Sequence, residues 1–174
     1  MTMKQGLVIL YTGKGKGKTT AALGLALRAW GHGFPVCVIQ FIKGKRDTGE
    51  AEALRRLDGV DLHVTGHGFL LGRETPERDC AAARDAWRLA REIMTSSKHR
   101  LLILDEITYA VNRGLIDRDE LIDCLEKREP GLHVVITGRD APSPLVECAD
   151  LVTEMREVKH PLRRGVKAQA GIEF

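Results

Sequence analysis

Short apolar runs alternate with longer amphipathic segments along this chain. Six of the runs, rich in Val, Ile and Leu as buried strands are, predict strands over Leu7–Tyr11, Val36–Phe41, Asp61–Thr65, Leu101–Leu104, His133–Thr137 and Leu151–Glu157. The segments between them predict helices over Thr19–Gly31, Thr48–Leu57, Pro76–Thr95, Asp117–Lys127 and Leu145–Cys148. This alternation indicates an α/β fold, a mainly parallel sheet with helices on both faces, in a single domain over residues 1–174.

The spacing of apolar residues predicts which face of the first helix is buried. Leu23, Ala26, Leu27 and Trp30 recur on one face of the first helix, which we expect to pack on the sheet. Gly31 is expected to end that helix.

Capping-box spacing marks the starts of two further helices. Asp47 precedes Glu50 by three residues, and Asp117 precedes Glu120 by three. The sequence therefore predicts helices that begin just after Asp47 and just after Asp117.

The first strand leads into a glycine-rich loop that opens the first helix. Gly13, Gly15 and Gly17 alternate through this loop, and Lys18 and Thr19 follow directly. A strand, a glycine loop and a helix opened by Gly-Lys-Thr form the phosphate-binding loop, or P-loop. The glycines let backbone N–H groups turn toward a phosphate, Lys18 adds a positive charge, and the Thr19 hydroxyl is placed to bind Mg²⁺. The alternative is a glycine-rich turn that binds nothing.

Four residues next to this motif also bear on its function. Thr12 stands where the usual pattern has its first glycine. Lys14 and Lys16 add positive charge to the loop, where they either contact phosphates or are merely solvated. Thr20 completes the set of candidate nucleotide contacts at this end of the helix.

Charged residues also follow two of the later strands. Asp105 and Glu106 come directly after the strand Leu101–Leu104, the Walker-B arrangement that binds Mg²⁺ directly or through water. The alternative is a pair of acids that starts a helix. Arg139 follows the fifth strand, and ligands of open α/β sheets lie beyond the carboxyl ends of the strands. We therefore expect Arg139 to face the same crevice, against the alternative of a surface arginine.

The loop Gly66–Glu74 combines three glycines with three adjacent apolar residues. Phe69, Leu70 and Leu71 either cap the core or form an apolar lid over a ligand.

Composition narrows the class of protein. The 174 residues have 43% apolar and 29% charged content and a net charge of +3, which is typical of a globular protein and too mild to indicate a nucleic-acid partner. The apolar runs are too short to span a membrane, and no signal-peptide core is seen. The four cysteines have no C-x-x-C spacing, which favours a reduced, cytoplasmic compartment. No guanine-reading N-K-x-D-like stretch occurs, so a GTPase is disfavoured.

Several stretches together resemble one family, the P-loop branch of the ATP:corrinoid adenosyltransferases (cob(I)yrinic acid a,c-diamide adenosyltransferases). They are YTGKGKGKTTAALGLALRAWGHG, LLILDEITYAV, VVITGRDAP and ADLVTEMREVKHPLRRGVKAQAGIEF, which span nearly the whole chain. The resemblance implies a RecA-like P-loop fold and a homodimer. It also implies transfer of the 5′-deoxyadenosyl group of ATP to the Co(I) of a reduced corrinoid, with release of triphosphate.

The resemblance implies the remaining contacts as well. ATP would lie reversed in the loop, with its γ-phosphate where other P-loop proteins hold the α-phosphate. Lys18, the loop amides, Arg139, and Mg²⁺ (or Mn²⁺) on Thr19 and Glu106 would stabilise the leaving triphosphate. Arg28 would be a further nucleotide contact, Phe69 would keep water from the cobalt, and a flavoprotein could supply the electron.

This chain departs from the family pattern at two places. Members often carry asparagine at the position of Lys14, and often read G-F-T-W-E-T where this chain has residues 68–75. Longer members also fold an amino-terminal helix over the site. We expect the 66–74 loop or a partner subunit to shield the cobalt here.

Two other classes of function stay open from the residues alone. One is a P-loop ATPase or small-molecule kinase, with Glu106 positioning a water or acting as base. The other is a non-catalytic carrier of the finished corrinoid. The kind of product formed from ATP distinguishes the three.

Overall fold

The computed structural model describes residues 5–42, 48–65 and 76–173. Its six strands are β1 Val8–Thr12, β2 Val36–Gln40, β3 Val60–Val64, β4 Leu101–Asp105, β5 His133–Thr137 and β6 Leu151–Glu154. Its helices are α1 Lys18–Gly31, α2 Gly49–Arg55, α3 Glu77–Met94, α4 Ile107–Asn112, α5 Arg118–Glu126 and α6 Ser143–Cys148, with a 3₁₀ turn at Pro161–Arg164. The predicted α/β class is confirmed.

All six strands are parallel and lie in the order β3-β2-β4-β5-β1-β6. In this order β5 separates β1, which leads into the glycine loop, from β4, which ends in the acids. Parallel strands end at the same edge of a sheet, so the loop and the acids meet there, two strands apart.

The sheet is covered on both faces, as alternate side chains of a strand require. On one face, Val38 and Ile103 pack with Ala22 and Leu23 of α1 and Leu54 of α2. The opposite face is larger. Its core joins apolar residues of β1, β2, β4 and β5 with helices α3 to α6, among them Leu10, Ile39, Leu104, Trp87, Ile107, Leu125 and Leu145.

The prediction of which face of α1 is buried is partly wrong. Leu23 and Ala26 are buried, but Leu27 is 56% exposed and Trp30 is 37% exposed. Ala22 completes the buried face instead. The Trp30 ring lies at the end of the helix, where its Nε1 donates to the carbonyl of Asp58. The first helix therefore rests on the sheet mainly through its first half.

Several predicted boundaries also shift. The cap of α2 is Thr48, whose hydroxyl accepts from the N–H of Ala51, whereas Asp47 lies outside the described residues. The cap at Asp117 is confirmed, because its carboxylate accepts from the N–H of Glu120. Strand β2 ends one residue early, at Gln40, and β6 is a short exposed edge strand that ends at Glu154.

The 3₁₀ turn has no counterpart in the prediction, whereas the six-residue helix α4, which begins directly after Glu106, corresponds to the alternative of two acids that start a helix. The predicted loop Gly66–Glu74 lies outside the described residues. Within the described ranges, no helix combines the length and hydropathy needed to cross a bilayer.

Candidate anion-binding site at the carboxyl edge of the sheet

The glycine loop is folded tightly against the chain that follows β6. Gly13 has φ 93° and Gly17 has φ 106°, the left-handed region that glycine adopts without strain. The N–H of Gly15 donates to the carbonyl of Met155 over 2.7 Å. A Cβ at Gly13 would lie 2.5 Å from the Met155 oxygen, and one at Gly15 would lie 2.8 Å from the backbone of Met155 and Arg156. The glycines are thus required by this close approach as well as by the turn.

Lys18 begins α1 and lies within the loop. Its side chain is only 5% exposed, and Nζ donates to the carbonyls of Gly13 and Gly15, each over 2.8 Å. Burial lowers the pKa of Lys18 below its ordinary value, and the nearby charge of Glu106 opposes that shift. The loop therefore holds a buried positive charge at the N-terminus of a helix, a combination suited to an anion.

The side-chain hydrogen bonds of Asp105 connect the start of α1 to β2 and β5. Asp105 is 1% exposed, and its Oδ1 accepts from Thr19 Oγ1 over 2.8 Å and from Thr137 Oγ1 over 2.7 Å. Its Oδ2 accepts from Gln40 Nε2 over 3.0 Å. Gln40 and Asp105 are direct partners in the register of β2 and β4, which explains why their side chains meet. Both carboxylate oxygens are therefore already hydrogen-bonded.

Glu106, the residue after Asp105, adopts an unusual backbone conformation. Its φ of 62° is left-handed, which is uncommon for a residue other than glycine. Its N–H donates to Thr137 Oγ1 over 2.9 Å, and α4 begins at the next residue. Such conformations cost of order 1–3 kcal/mol and concentrate at functional sites. The sharp turn places Glu106 at the pocket wall, whereas Asp105 stays buried beneath it.

The segment after β5 is fixed by α4. Thr108 Oγ1 donates to the carbonyl of Arg139 over 2.8 Å, and Asn112 Nδ2 donates to that of Asp140 over 3.0 Å. Gly138 lies so close to α4 that a Cβ there would come 1.9 Å from Thr108 Oγ1. Arg139 is thus held at the carboxyl edge of the sheet, between the loop and α4.

Two pockets lie at this edge and share Arg139 and Asp140. The first, of about 610 Å³, is lined by the loop, the start of α1, α4 and the chain end: Gly15, Lys16, Gly17, Lys18, Thr19, Thr20, Glu50, Glu106, Tyr109, Asn112, Arg113, Arg139, Asp140 and Glu173. The second, of about 570 Å³, lies on the outer side of the loop and is lined by Thr12, Gly13, Lys14, Arg139, Asp140, Glu154, Met155, Arg156, Glu157 and Arg163. We call them the inner and outer pockets.

The donor set of the inner pocket fits a magnesium ion shared with a phosphate ligand. Within the described ranges, no group of three or more His, Cys, Asp or Glu side chains is arranged to hold a metal by itself. Mg²⁺ does not need such a cage, since it keeps several waters and binds one or two protein oxygens together with substrate phosphates. Thr19 and Glu106 line the inner pocket, and the buried Asp105 accepts a hydrogen bond from the Thr19 hydroxyl.

Most of the predicted site residues are brought together here. Those that line the inner pocket are Gly15, Lys16, Gly17, Lys18, Thr19, Thr20, Glu106 and Arg139. Gly13 and Lys14 line the outer pocket. Arg28 is exposed in the last turn of α1 and lines neither pocket. It lies ten residues along the helix from Lys18, which is about 15 Å at 1.5 Å per residue. Phe69 lies outside the described residues.

Other residues of the site are not among those predicted from the sequence. Gln40 and Thr137 reach Asp105 only because β2 and β5 flank β4. Tyr109 and Arg113 line the inner pocket from α4, with the Arg113 guanidinium 4.7 Å from the centre of the Tyr109 ring. Glu173 reaches the pocket from the far end of the chain. Its motif, GVKAQAGIEF, could have drawn attention to it.

Comparisons with known proteins agree with one another on the family. A family model described as "ATP:corrinoid adenosyltransferase BtuR/CobO/CobP" matches residues 4–174. A corrinoid adenosyltransferase of a Sinorhizobium species is 44% identical over 176 residues, covering 99% of this chain and 82% of that protein. Those of Pseudomonas aeruginosa and Escherichia coli K12 are 41% and 42% identical, each covering 98% of this chain and 85% and 87% of the relative.

A solved structure has the same fold at low sequence identity. The flagellar accessory protein FlaH of Methanocaldococcus jannaschii superimposes with a TM-score of 0.57 at 11% identity, covering 87% of this chain and 72% of that one. At this identity the likeness concerns the fold alone.

Proposed function

Because this chain belongs to the ATP:corrinoid adenosyltransferase family and is therefore an enzyme of the transferase class, we propose that it transfers the 5′-deoxyadenosyl group of ATP to the Co(I) of a reduced corrinoid and releases triphosphate. The observation that carries the proposal is the buried Lys18 ammonium within a glycine loop whose helix opens onto the inner pocket. A buried positive charge within a glycine loop at the start of a helix suits a polyphosphate.

The chemistry asks the protein to stabilise a leaving group. In the transfer, a bond forms between cobalt and C5′ while the C5′–O bond breaks, and the triphosphate leaves with the electron pair. Lys18, Lys16 and Arg139 line the inner pocket together with the loop, and we propose that these groups and the loop amides stabilise the leaving triphosphate there. We expect ATP to lie reversed in the loop, as the family resemblance implies, so that the phosphates leave as one unit.

The lining of the inner pocket is consistent with attack by the substrate's cobalt. Among its described residues there is no cysteine, histidine or serine. Co(I) is itself a strong nucleophile, so the protein's task is to hold cobalt and C5′ in line. Arg139 and Asp140 line both pockets, so the outer pocket offers space for a second substrate directly beside the first.

Magnesium would neutralise part of the phosphate charge when bound. We propose that Thr19 and Glu106 hold it, directly or through water, and that Asp105 acts through the Thr19 hydroxyl. Mn²⁺ has the same preference for oxygen ligands and is expected to substitute.

One observation favours ATP hydrolysis as a second candidate. Glu106 lines the inner pocket in a strained left-handed conformation, where a carboxylate could position a water against a phosphate. Hydrolysis would give ADP and phosphate, whereas adenosyl transfer gives triphosphate. A non-catalytic corrinoid carrier would give neither.

We further propose a homodimer. The edge strand β6 and the chain after it expose apolar side chains, including Leu151 at 44%, Val152 at 40% and Leu162 at 65%. A second copy that packs on this edge would cover them. An electron-donating flavoprotein and a cytoplasmic location stay predictions.

The deciding experiment is product analysis. The protein is incubated with ATP, Mg²⁺ and chemically reduced cobalamin, with Lys18→Ala protein as the control. Adenosyl transfer yields triphosphate and a light-sensitive cobalt–carbon product in the visible spectrum, and both should be absent from the control. ADP without the cobalt–carbon product would establish the hydrolase instead.

A further inference from the structure

The chain end reaches into the inner pocket and pairs with the glycine loop. The Glu173 carboxylate forms an ion pair with Nζ of Lys16, and its side chain is 18% exposed against 50% for that of Lys16. Glu173 lines the inner pocket together with Lys18 and Thr19. Glu173 therefore adds a carboxylate beside the glycine loop, in a pocket that Glu50, Glu106 and Asp140 also line.

The segment that carries Glu173 is held only lightly. We call residues 165–173 the tail. Its nine residues are exposed except for Glu173, and Ile172 is 81% exposed. The tail turns at Gly171, which has φ 77°, so that the N–H of Glu173 donates to the carbonyl of Gln169 over 2.8 Å. Segments with so little buried apolar surface open at low free-energy cost.

Glu173 and a bound triphosphate would compete for Lys16, because both are negatively charged. A single ammonium cannot be fully paired with both, and a carboxylate left beside bound phosphates would repel them. The ion pair is partly exposed, so its strength is modest and sensitive to salt. A ligand with several negative charges can displace it.

We propose that Glu173 is a built-in competitor for the triphosphate-binding site, one that lowers the affinity for ATP and for the triphosphate product by occupying Lys16 when no phosphate is bound. This inference rests on the proposed function. The loop, Lys18 and Arg139 would otherwise hold a released triphosphate tightly, and the returning carboxylate favours its departure. Binding of nucleotide frees the tail, and loss of product lets it close again.

The test compares Glu173→Gln with wild-type protein and with Glu147→Gln as the matched control. Glu147 is exposed on α6 and lines neither pocket, so that variant loses the same charge elsewhere. Calorimetry measures the binding of inorganic triphosphate and of Mg-ATP at low ionic strength. Glu173→Gln should bind both about two- to five-fold more tightly, the range expected for an exposed ion pair, and Glu147→Gln should match wild type. Inhibition by triphosphate should strengthen by the same factor.

Two further measurements separate competition from other roles. In a Lys16→Gln background, Glu173→Gln should bring a smaller gain than in wild type, because the ion pair is already broken and only the repulsion between the carboxylate and the phosphates is left to remove. At high salt the gain should shrink. Unchanged or weaker binding by Glu173→Gln would overturn the proposal, and a weakening seen only with Mg²⁺ would overturn it by making Glu173 a metal contact. If wild-type protein bound neither ligand, the proposed function itself would fail, a result distinct from these.

Discussion

The Thr19 hydroxyl donates a 2.8 Å hydrogen bond to Oδ1 of Asp105, and so connects the start of α1 to the end of β4. Because the Thr19 hydroxyl donates its proton to the carboxylate, the lone pairs of its oxygen are available to bind a cation in the inner pocket. Asp105 is 1% exposed, which makes it a support for Thr19 and not a wall of the pocket. The two adjacent acids thus differ in position, since Asp105 is buried and Glu106 lines the inner pocket.

The first prediction concerns this hydroxyl. Thr19→Ala removes both the metal-binding oxygen and the bond to Asp105, and we expect adenosyl transfer to fall about 100-fold with a higher Mg²⁺ requirement. Thr19→Ser keeps the hydroxyl and should retain most of the activity. Rates measured across a Mg²⁺ titration check this. Equal rates for the two variants would contradict the assignment.

Gln40 supplies the second prediction. Gln40→Met has a similar volume but lacks the donor to Asp105 Oδ2, so the carboxylate loses one of the hydrogen bonds that hold it in place. We expect kcat to fall about 10-fold, the lower end of the range for partners that orient a ligand, with the ATP affinity little changed. Steady-state kinetics in ATP separates kcat from KM. A change in KM alone would mean that Gln40 acts on binding and not through Asp105.

Lys18 supplies the third prediction. Lys18→Ala should weaken ATP binding about 100-fold, because it removes a buried charge that donates charge-assisted hydrogen bonds. Lys14→Ala is the matched control, since Lys14 lines the outer pocket only and should lose much less. Binding is measured by calorimetry, and circular dichroism should show the same helix content in both. Near-normal ATP binding by Lys18→Ala would refute the site.

A pair of glycines provides the fourth prediction. Gly138→Ala would bring a Cβ to 1.9 Å from Thr108 Oγ1, at φ 149°. We expect a loss of about 2–4 kcal/mol in the free energy of unfolding, roughly 5–15 °C in Tm. Gly24 in α1 has nothing within 4 Å of such a Cβ, so Gly24→Ala should gain about 0.5–1 kcal/mol. Thermal unfolding of both variants checks the contrast, which fails if the two shift alike.

Cys37 gives the fifth prediction, on pH. Burial raises the pKa of its thiol from 9.0 to about 12. Between these values the folded chain keeps a proton that the unfolded chain releases, so the contribution of Cys37 to stability falls as pH rises above 9.0. Alkylation at pH 9, followed by mass spectrometry of peptides, should leave Cys37 unmodified in native protein and modified after denaturation. Labelling of native Cys37 at that pH would count against the buried thiol.

Much of the sheet and of the glycine loop follows from local sequence. The apolar runs at Val36 and Leu101 are short, uninterrupted and rich in aliphatic residues, so they predict buried strands directly. Glycine followed by Lys18 and Thr19 predicts the loop for the same local reason. The loop needs a left-handed backbone and a helix N-terminus, and both are encoded within a few residues.

The rest depends on contacts between distant segments. Gln40 and Thr137 belong to the site only because of strand order, which no local pattern specifies. Helix α4 is six residues long, too short for a reliable 3.6-residue period. Leu27 and Trp30 have the right spacing for the buried face, but the sheet covers mainly the first half of α1 and leaves them exposed.

The placement of β1 has a consequence for synthesis of the protein. Its two neighbours in the sheet are β5 and β6, so β1 cannot pair before residues 133–154 have been synthesised. Pairings over such long separations form slowly. We conclude that the glycine loop, which follows β1, cannot take its final place before β5 has been synthesised, and that chains interrupted before β5 expose an unpaired apolar segment to chaperones and proteases.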